Sequence, residues 1–329
     1  MKNTEMDLEY KQKKNVKDIF LKIFRSGGIY IAFLFLIIIS GILSPKTLAP
    51  LHILDMLQNG AVLGIIVIAQ TLLILIRGID LSVGANVILA MLLVDGISMA
   101  NPEKTAQAVT IALFAGLLIG LLNGVLVVKL KIEPLVSSLG VMSLITGISY
   151  IYTKGFGKGQ SPPFAIFLGS GQLFGFLPVS VIIWAVLAAI FIFILKKTVF
   201  GRYIYSVGSN PKTATLAGIN VPRVSMLVYA ISGVLVSIAG ILLAGYLGNP
   251  TLAGGETYPL DSIAAVILGG TTFAGGKGGI GGSIVGTLII VLVASLLNIM
   301  QLGHPWKLIV QGVIILLLVF SYTGRSKTN

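Results

Sequence analysis

Two acidic residues stand at the start of apolar stretches, where an unpaired carboxylate is costly. Asp80 lies in the sequence GIDLSVG, whose glycines are Gly78 and Gly84, and Asp261 opens the stretch DSIAAVILG. An acid inside a membrane marks a transport pathway or a proton relay by default. An acid at this position also suits a helix cap, and Asp80 has Arg77 as a possible ion-pair partner. Both acids are therefore candidates for a pathway and for a structural cap.

Amide side chains supply the other polar groups within apolar stretches. They offer hydrogen-bond donors and acceptors without the desolvation cost of a charge, which suits a sugar or a similar polyol. The same groups join neighbouring helices in membranes, and each one taken alone favours that structural role. Together they favour a neutral polar cargo over an ion. The amides are Gln70, Asn86, Asn123, Asn298 and Gln311. Our pathway candidates are the two acids and three of these amides, Asn86, Asn123 and Asn298.

A glycine-rich stretch near the C-terminus contains G-x-G-x-x-G at 276–281. That pattern binds dinucleotides only after a strand and within a βαβ unit, whereas here it lies between apolar stretches. We interpret its motif glycines, Gly275, Gly276 and Gly278, as a tight turn before a closely packed helix. Glycines at every fourth position favour such packing. They occur in two sets: Gly278, Gly282 and Gly286, and Gly116, Gly120 and Gly124.

The composition indicates an integral membrane protein. Mean hydropathy is +1.00, and only 10% of residues are charged, against about 25% in soluble domains. There is no Cys, so disulfides and Cys metal sites are excluded. The sequence has only two His residues, too few for us to expect a metal site built from His. The net charge of +12 is concentrated on one side of the predicted spans, which orients a membrane protein and gives no indication of nucleic acid as a partner.

Ten apolar runs predict an all-α membrane protein of about ten transmembrane helices. A charged leader at 1–26 precedes a permease-like transmembrane domain at 27–322, and a tail follows at 323–329. The charge bias places both termini in the cytoplasm of a cell membrane. The predicted spans are 27–43, 57–76, 81–99, 106–128, 135–153, 178–195, 223–246, 259–273, 280–300 and 306–322.

The third and eighth spans are the weakest, because each opens on an acid and is rich in Gly. Their sequences resemble each other, and the topology places their acids at opposite membrane faces. Such paired, interrupted segments predict an inverted internal repeat around a central pathway. A long, nearly uncharged segment, Thr153–Pro178, is predicted outside, either as a structured cap on the bundle or as a surface for a partner.

The polar segment 196–223 interrupts the apolar runs and contains a short helix with its own end signals. Asn210 is a good N-cap, Pro211 suits the first helical position, and Gly218 can adopt the left-handed conformation that ends a helix. A helix this short needs packing against something else. A basic helix presented at the cytoplasmic face predicts a docking element for another protein.

Three separated motifs resemble the permeases of ribose-type ABC importers, in the branched-chain and simple-sugar permease family. They are GIDLSVG at 78–84, VGSNPKTATLAGI at 207–219, and DSIAAVILGGTTFAGGKGGIGGSIVGTLII at 261–290. The similarity runs from about residue 28 to 322. It implies a type II importer-like subunit without catalytic residues, bound cofactor or metal, in which ATP is hydrolysed on a partner chain.

The resemblance also implies the partners and a role for the segment 196–223. The chain would pair with a second permease copy or a paralogue, with an ABC ATPase that is often a fused tandem, and with an extracytoplasmic sugar-binding protein. The short helix would be the coupling helix that docks on the ATPase. Its matching residues are Asn210, Ala214, Leu216, Ala217 and Gly218.

Other functions fit parts of the sequence. An ion-coupled secondary transporter would need titratable groups deep in the bundle, whereas these acids lie at span ends. A structural or regulatory membrane subunit without a pathway is a further alternative. Within the ABC class, ribose leads by resemblance, while other sugars, nucleosides or a furanosyl signalling molecule stay open.

Overall fold

The computed structural model describes residues 29–31, 33–303, 305, 306, 308, 309, 312 and 313. The predicted leader (1–26), the tail (323–329) and most of the predicted tenth span (306–322) lie outside the described residues. The α-helices are α1 (Ile29–Leu43), α2 (Pro50–Leu75), α3 (Val83–Ser98), α4 (Thr105–Gly124), α5 (Pro134–Thr153), α6 (Pro163–Ser170), α7 (Val179–Lys197), α8 (Val199–Ser209), α9 (Pro211–Leu216), α10 (Val221–Leu247), α11 (Tyr258–Leu268) and α12 (Ile280–Ile299).

Short elements connect these helices. Single 3₁₀ turns occur at Pro45–Leu48 and Pro102–Lys104, and α4 continues as a π-helical turn at Val125–Lys129. Two short strands, β1 (Gln172–Leu173) and β2 (Leu177–Pro178), pair antiparallel. The described part of the chain is therefore mainly helical, as the sequence predicts.

Helices α2 and α10 form the centre of the bundle. Both are apolar around most of their circumference, and most of their residues are buried. Helices α3, α4 and α6 pack against α10, while α7, α11 and α12 pack against α2. The outer helices α4, α5 and α7 leave most of their apolar surface exposed, as expected of helices that face lipid or another membrane subunit.

Six helices among the described residues are long and apolar enough to cross a membrane. The two weak spans appear as the shorter helices α3 and α11, and α11 ends at Leu268 where a Gly-Gly pair begins. The N-terminal ends of α3 and α11 lie next to each other, because a Cβ on Gly84 would collide with the backbone oxygen of Gly255 and lie 3.2 Å from Pro259. The inverted repeat and the count of ten spans stay predictions.

Glycine faces bring two helix pairs into close contact. A Cβ on Gly120 would collide with the backbone oxygen of Tyr229, so α4 can lie directly against α10 only with Gly there. On α12, Gly282 and Gly286 contact the backbone oxygens of Gly269 and Ala265 in the same way. The predicted packing role is confirmed for both faces, although Gly278 lies in the loop before α12.

The predicted external segment Thr153–Pro178 folds onto the bundle. It contains α6, which contacts α10 so closely that a Cβ on Gly169 would collide with the backbone oxygen of Leu242. Gln58 Nε2 donates to the carbonyl of Gly169 at 2.8 Å and joins α6 to α2. These contacts favour the first alternative, a structured cap on the bundle. The second alternative, a surface for a partner, stays a prediction and now concerns only the exposed hairpin of β1 and β2.

The α4–α10 contact gives a matched pair of glycine variants. Gly120→Ala should lower the midpoint of thermal unfolding in detergent by about 3 °C or more, since overpacking costs about 1–3 kcal/mol. Gly140→Ala on α5 meets open space and should keep or raise the midpoint, because Ala is the better helix former. Equal shifts in both variants would contradict the close packing described for Gly120.

Candidate functional site

Three polar regions lie at different positions along α2. A buried cluster surrounds Asp80 just beyond the C-terminal end of α2, and a junction of backbone carbonyls lies beside it around Arg77. An open cavity lies against the N-terminal half of α2. We call the end of the bundle that carries Arg77 and α9 the coupling end, and the other end the cavity end.

Asp80 is held by short-range bonds at the start of α3. Its Oδ1 accepts hydrogen bonds from the Ser82 amide at 2.7 Å and from the Ser82 hydroxyl. Asn123 Nδ2 donates to Ser82 Oγ at 3.0 Å and lies 3.4 Å from the same carboxylate oxygen. All three residues are almost fully buried. The predicted bond to the Ser82 amide is present, but Ser82 occupies the N-cap position of α3, so Asp80 stabilises the turn before the helix and is not its N-cap.

The cluster ties together three consecutive helices. Ser137 Oγ on α5 donates to Asn123 Oδ1 at 3.4 Å, so α3, α4 and α5 meet at this point. A Cβ on Gly78 would lie 2.8 Å from the hydroxyl of buried Tyr229, which keeps α10 close as well. Asp80 and Asn123 therefore have hydrogen-bond partners within the protein, which offsets part of the cost of burying them.

Asn86 joins α3 to α10. Its Nδ2 donates to the carbonyl of Gly233 at 3.2 Å, and its Oδ1 accepts from Ser237 Oγ at 3.3 Å. A Cβ on Gly84, two residues earlier in the chain, would collide with the backbone oxygen of Gly255. This part of α3 is enclosed by its neighbours, so Asn86 acts as interhelical glue in this structure. A pathway role for it stays a prediction.

The cavity end contains an open space of about 420 Å³ between α2, α11 and α12. Asp261 and Asn298, the two other predicted pathway residues, both line it. Sequence reasoning missed their neighbours on α2, namely Asp55 and Asn59, which also line the space. His52 Nε2 and Ser295 Oγ lie 2.6 Å apart and connect α2 with α12 at the cavity wall. The structure thus separates the five predicted pathway residues into a buried cluster and a cavity.

The short helix predicted from the sequence is confirmed as α9. Asn210 Oδ1 accepts from the amides of Lys212 and Thr213 at 3.0 and 3.2 Å, and Pro211 occupies the first helical position. Gly218 has a φ of +80°, and the Ile219 amide closes the turn on the carbonyl of Ala214 at 3.0 Å. Ala214 is buried, whereas Leu216 is 89% exposed. Helix α9 is therefore anchored on one side and presents Leu216 on the other.

Arg77 links α2 to the helix that precedes α9. It follows the C-terminal end of α2 with a φ of +66°, a conformation that is uncommon without Gly. Its Nε donates to the carbonyl of Gly208 at 2.6 Å, and its Nη2 donates to the carbonyl of Ser209. These are among the last carbonyls of α8, which have no partner within that helix and favour a nearby cation. Arg77 therefore caps α8 and does not pair with Asp80.

The glycine-rich loop between α11 and α12 closes the same junction. The Gly276 amide donates to the carbonyl of Leu75 at 2.9 Å, which satisfies an end carbonyl of α2. A Cβ on Gly275 would collide with Arg77, and a Cβ on Gly276 would collide with Ser209. Tyr205 Oη donates to the carbonyl of Gly278 at 3.0 Å, and burial raises the pKa of Tyr205, so its hydroxyl keeps the proton it donates.

The three sequence motifs thus meet in space. Leu75 and Arg77, just before GIDLSVG, contact the segment 207–219 and the glycine-rich loop at the coupling end, although these segments lie far apart along the chain. Sequence reasoning considered Arg77 only as a possible ion-pair partner of Asp80 and assigned no role to Tyr205. The signal available for Arg77 was its position directly before GIDLSVG, since a cation after an apolar helix is a common cap for helix carbonyls.

Comparison with known proteins places these motifs in one family. The family model described as "Branched-chain amino acid transport system / permease component" matches residues 52–319. The chain belongs to this permease family. The match includes the Asp80 cluster, the junction at Arg77, α9 and the cavity. It identifies the protein as a membrane permease, as the helical fold and the six apolar spans also indicate.

Curated members of the permease family resemble nearly the whole chain. The ribose import permease protein RbsC of Bacillus subtilis (strain 168) is 37% identical over 89% of this chain and 91% of its own length. RbsC of Haemophilus influenzae is 35% identical over 91% of this chain and 94% of its own length. The galactose/methyl galactoside import permease protein MglC of Escherichia coli (strain K12) is 32% identical over 92% of this chain and 95% of its own length. No solved structure matches the chain.

The junction predicts that the local stability of α8 and α9 depends on Arg77. Arg77→Gly suits the left-handed backbone but removes both hydrogen bonds to α8, so amides in 205–219 should exchange hydrogen for deuterium at least about tenfold faster. Amides of α4 and the central part of α10 should be unaffected. Arg223→Gln removes an exposed cation nearby and serves as the control. Unchanged exchange in Arg77→Gly would show that Arg77 merely occupies the turn.

Proposed function

We propose that this chain is the transmembrane permease subunit of a binding-protein-dependent ABC importer, and that it forms the translocation pathway for a small sugar. The observation that carries this proposal is the similarity over about nine-tenths of the chain to permeases named for ribose import. Relatives named for galactose and fructose import support the same class of cargo. Ribose is the leading substrate because relatives that are 35–37% identical over about nine-tenths of the chain carry its name.

The coupling end faces the cytoplasm in this proposal. Most Lys and Arg residues belong to segments that join at this end or to the termini, as the positive-inside tendency requires. Both termini are then cytoplasmic, and the chain crosses the cell membrane ten times with an inverted internal repeat. The cavity end opens towards the sugar-binding protein outside.

Helix α9 serves as the coupling helix. Asn210 and Gly218 fix its two ends, Ala214 anchors it to the bundle, and Leu216 and Ala217 are exposed for contact. An exposed Leu at the tip of a short, capped helix matches the helix-in-groove mode of recognition. The partner is an ABC ATPase, proposed as a fused tandem, and ATP hydrolysis stays on that chain. A second permease copy or a paralogue completes the pathway across the dimer.

Leu216 gives a direct test of the docking role. Leu216→Glu should abolish co-purification of the ATPase, because a buried carboxylate without a partner strongly disfavours the interface. Phe174→Glu is the matched control, since Phe174 is 87% exposed in the hairpin at the cavity end. It should leave ATPase binding unchanged. Equal ATPase recovery with both variants would contradict the assignment of α9.

The complete assembly tests the proposed function. The tagged chain, purified from its native membrane in mild detergent, should bring down an ATPase with Walker motifs and an extracytoplasmic binding protein. Reconstituted with both partners, it should import D-ribose only when ATP is supplied on the coupling side. Sugar import by the purified permease without any ATPase would overturn the proposal in favour of an ion-coupled transporter.

A further inference from the structure

We propose that the cavity between α2, α11 and α12 is a binding subsite for a neutral monosaccharide within the permease itself, an assignment that rests on the proposed sugar import. The size of the cavity is the first reason. Its volume of about 420 Å³ lies in the range of about 300–1,000 Å³ in which small-molecule sites are found. A monosaccharide ring and a few water molecules fit this space.

The polar groups on the wall suit sugar hydroxyls. Every hydroxyl of a sugar is both a donor and an acceptor, so it needs partners of both kinds. The cavity offers carboxylates that accept and amides that both donate and accept. These groups come from three different helices and converge on one space; they are Asp55, Asn59, Asp261, Ser295 and Asn298.

The charge of the wall selects against anions. Asp55 and Asp261 both line the cavity, and among the described residues that line it there is no Lys or Arg, while His52 is the one basic side chain on the wall. An anionic sugar, such as an aldonate or a sugar phosphate, would meet two carboxylates there, and like charges at close range cost free energy. The cavity therefore favours a neutral polyol.

The apolar part of the wall suits the carbon face of a sugar ring. Leu63, Ile290 and Val291 line the cavity, as do Tyr246 and Tyr258. Aromatic residues with a hydroxyl offer both a flat apolar surface and a polar tip. The wall therefore combines apolar surface for the ring carbons with polar groups for the hydroxyls.

The positions of Asn59 and Asn298 support a water-filled space. Both side chains are exposed although they lie on strongly apolar helices, α2 and α12. Exposure of an amide to lipid leaves its hydrogen-bonding groups unsatisfied, which is costly. A hydrated cavity that a sugar can enter satisfies them.

The absence of Cys from the sequence makes this subsite directly testable. Single variants Asn59→Cys and Asn298→Cys, each assembled with the ATPase in proteoliposomes, are treated with a membrane-impermeant methanethiosulfonate reagent. Saturating D-ribose, D-galactose or D-fructose should slow modification at both positions at least about threefold. Phe174→Cys in the exposed hairpin is the control, and its rate should not depend on sugar.

The outcomes separate the subsite from the proposed function. Unprotected cysteines in a preparation whose unmodified parent imports ribose with ATP would overturn the subsite and leave the importer intact. Equal protection by D-ribonate would overturn the selection against anions. Failure of the parent to import any of the three sugars with its partners would count against the importer itself. Ser295→Cys, a nearly isosteric change at the same wall, repeats the test should either Asn variant fail to fold.

Discussion

The backbone carbonyls at the ends of interrupted helices set the main constraint on this structure. A helix that ends near or within a membrane leaves carbonyls that water does not reach, and each must find a donor elsewhere in the protein. Here α2 and α8 end side by side, and their carbonyls are satisfied by the Gly276 amide and the Arg77 side chain. Three distant segments are joined as a result. The short, capped α9 follows α8 directly, so its position depends on that junction.

The junction also connects the two ends of the bundle. The loop that contacts Arg77 leads back to α11 and on to α12, and both helices line the cavity. A displacement of α9 therefore reaches the cavity through helices and short loops with close backbone contacts. Such contacts transmit a shift as rigid-body motion, because packed interfaces do not deform continuously. This arrangement gives a physical route by which the proposed docking of an ATPase on α9 would change access to the proposed sugar site at the opposite end.

Local signals were strong enough to predict several parts of the structure from the sequence. The end signals of α9 are contained in one short segment, so Asn210, Pro211 and Gly218 were assigned correctly. The glycine faces were recognisable by their spacing, whereas their partners, such as Tyr229, were not, because those contacts are made by distant parts of the chain. Helix α8 was missed since its sequence is polar enough to resemble a loop.

The candidate site was predictable only as a set of residue types. Polarity within apolar spans pointed to Asp80, Asn123, Asp261 and Asn298 together, yet tertiary packing buries the first two in a bonded cluster and places the other two in a cavity. Asp55 and Asn59 lie near the start of α2 and carry no motif, so only the structure shows that they share that cavity. The role of Arg77 depends on carbonyls that are more than a hundred residues away.

The short length of α11 has an electrical consequence. Its 11 residues span roughly 16 Å, about half of the hydrocarbon layer, and a glycine-rich loop continues from its end. With the proposed water-filled cavity on one side, most of the transmembrane voltage would fall across the remaining layer. An ion that crossed this layer would gain or lose about 2.3 kcal/mol of electrical free energy per elementary charge for every 100 mV of membrane potential. A neutral sugar moves no charge through that field, so its passage neither draws on the membrane potential nor dissipates it.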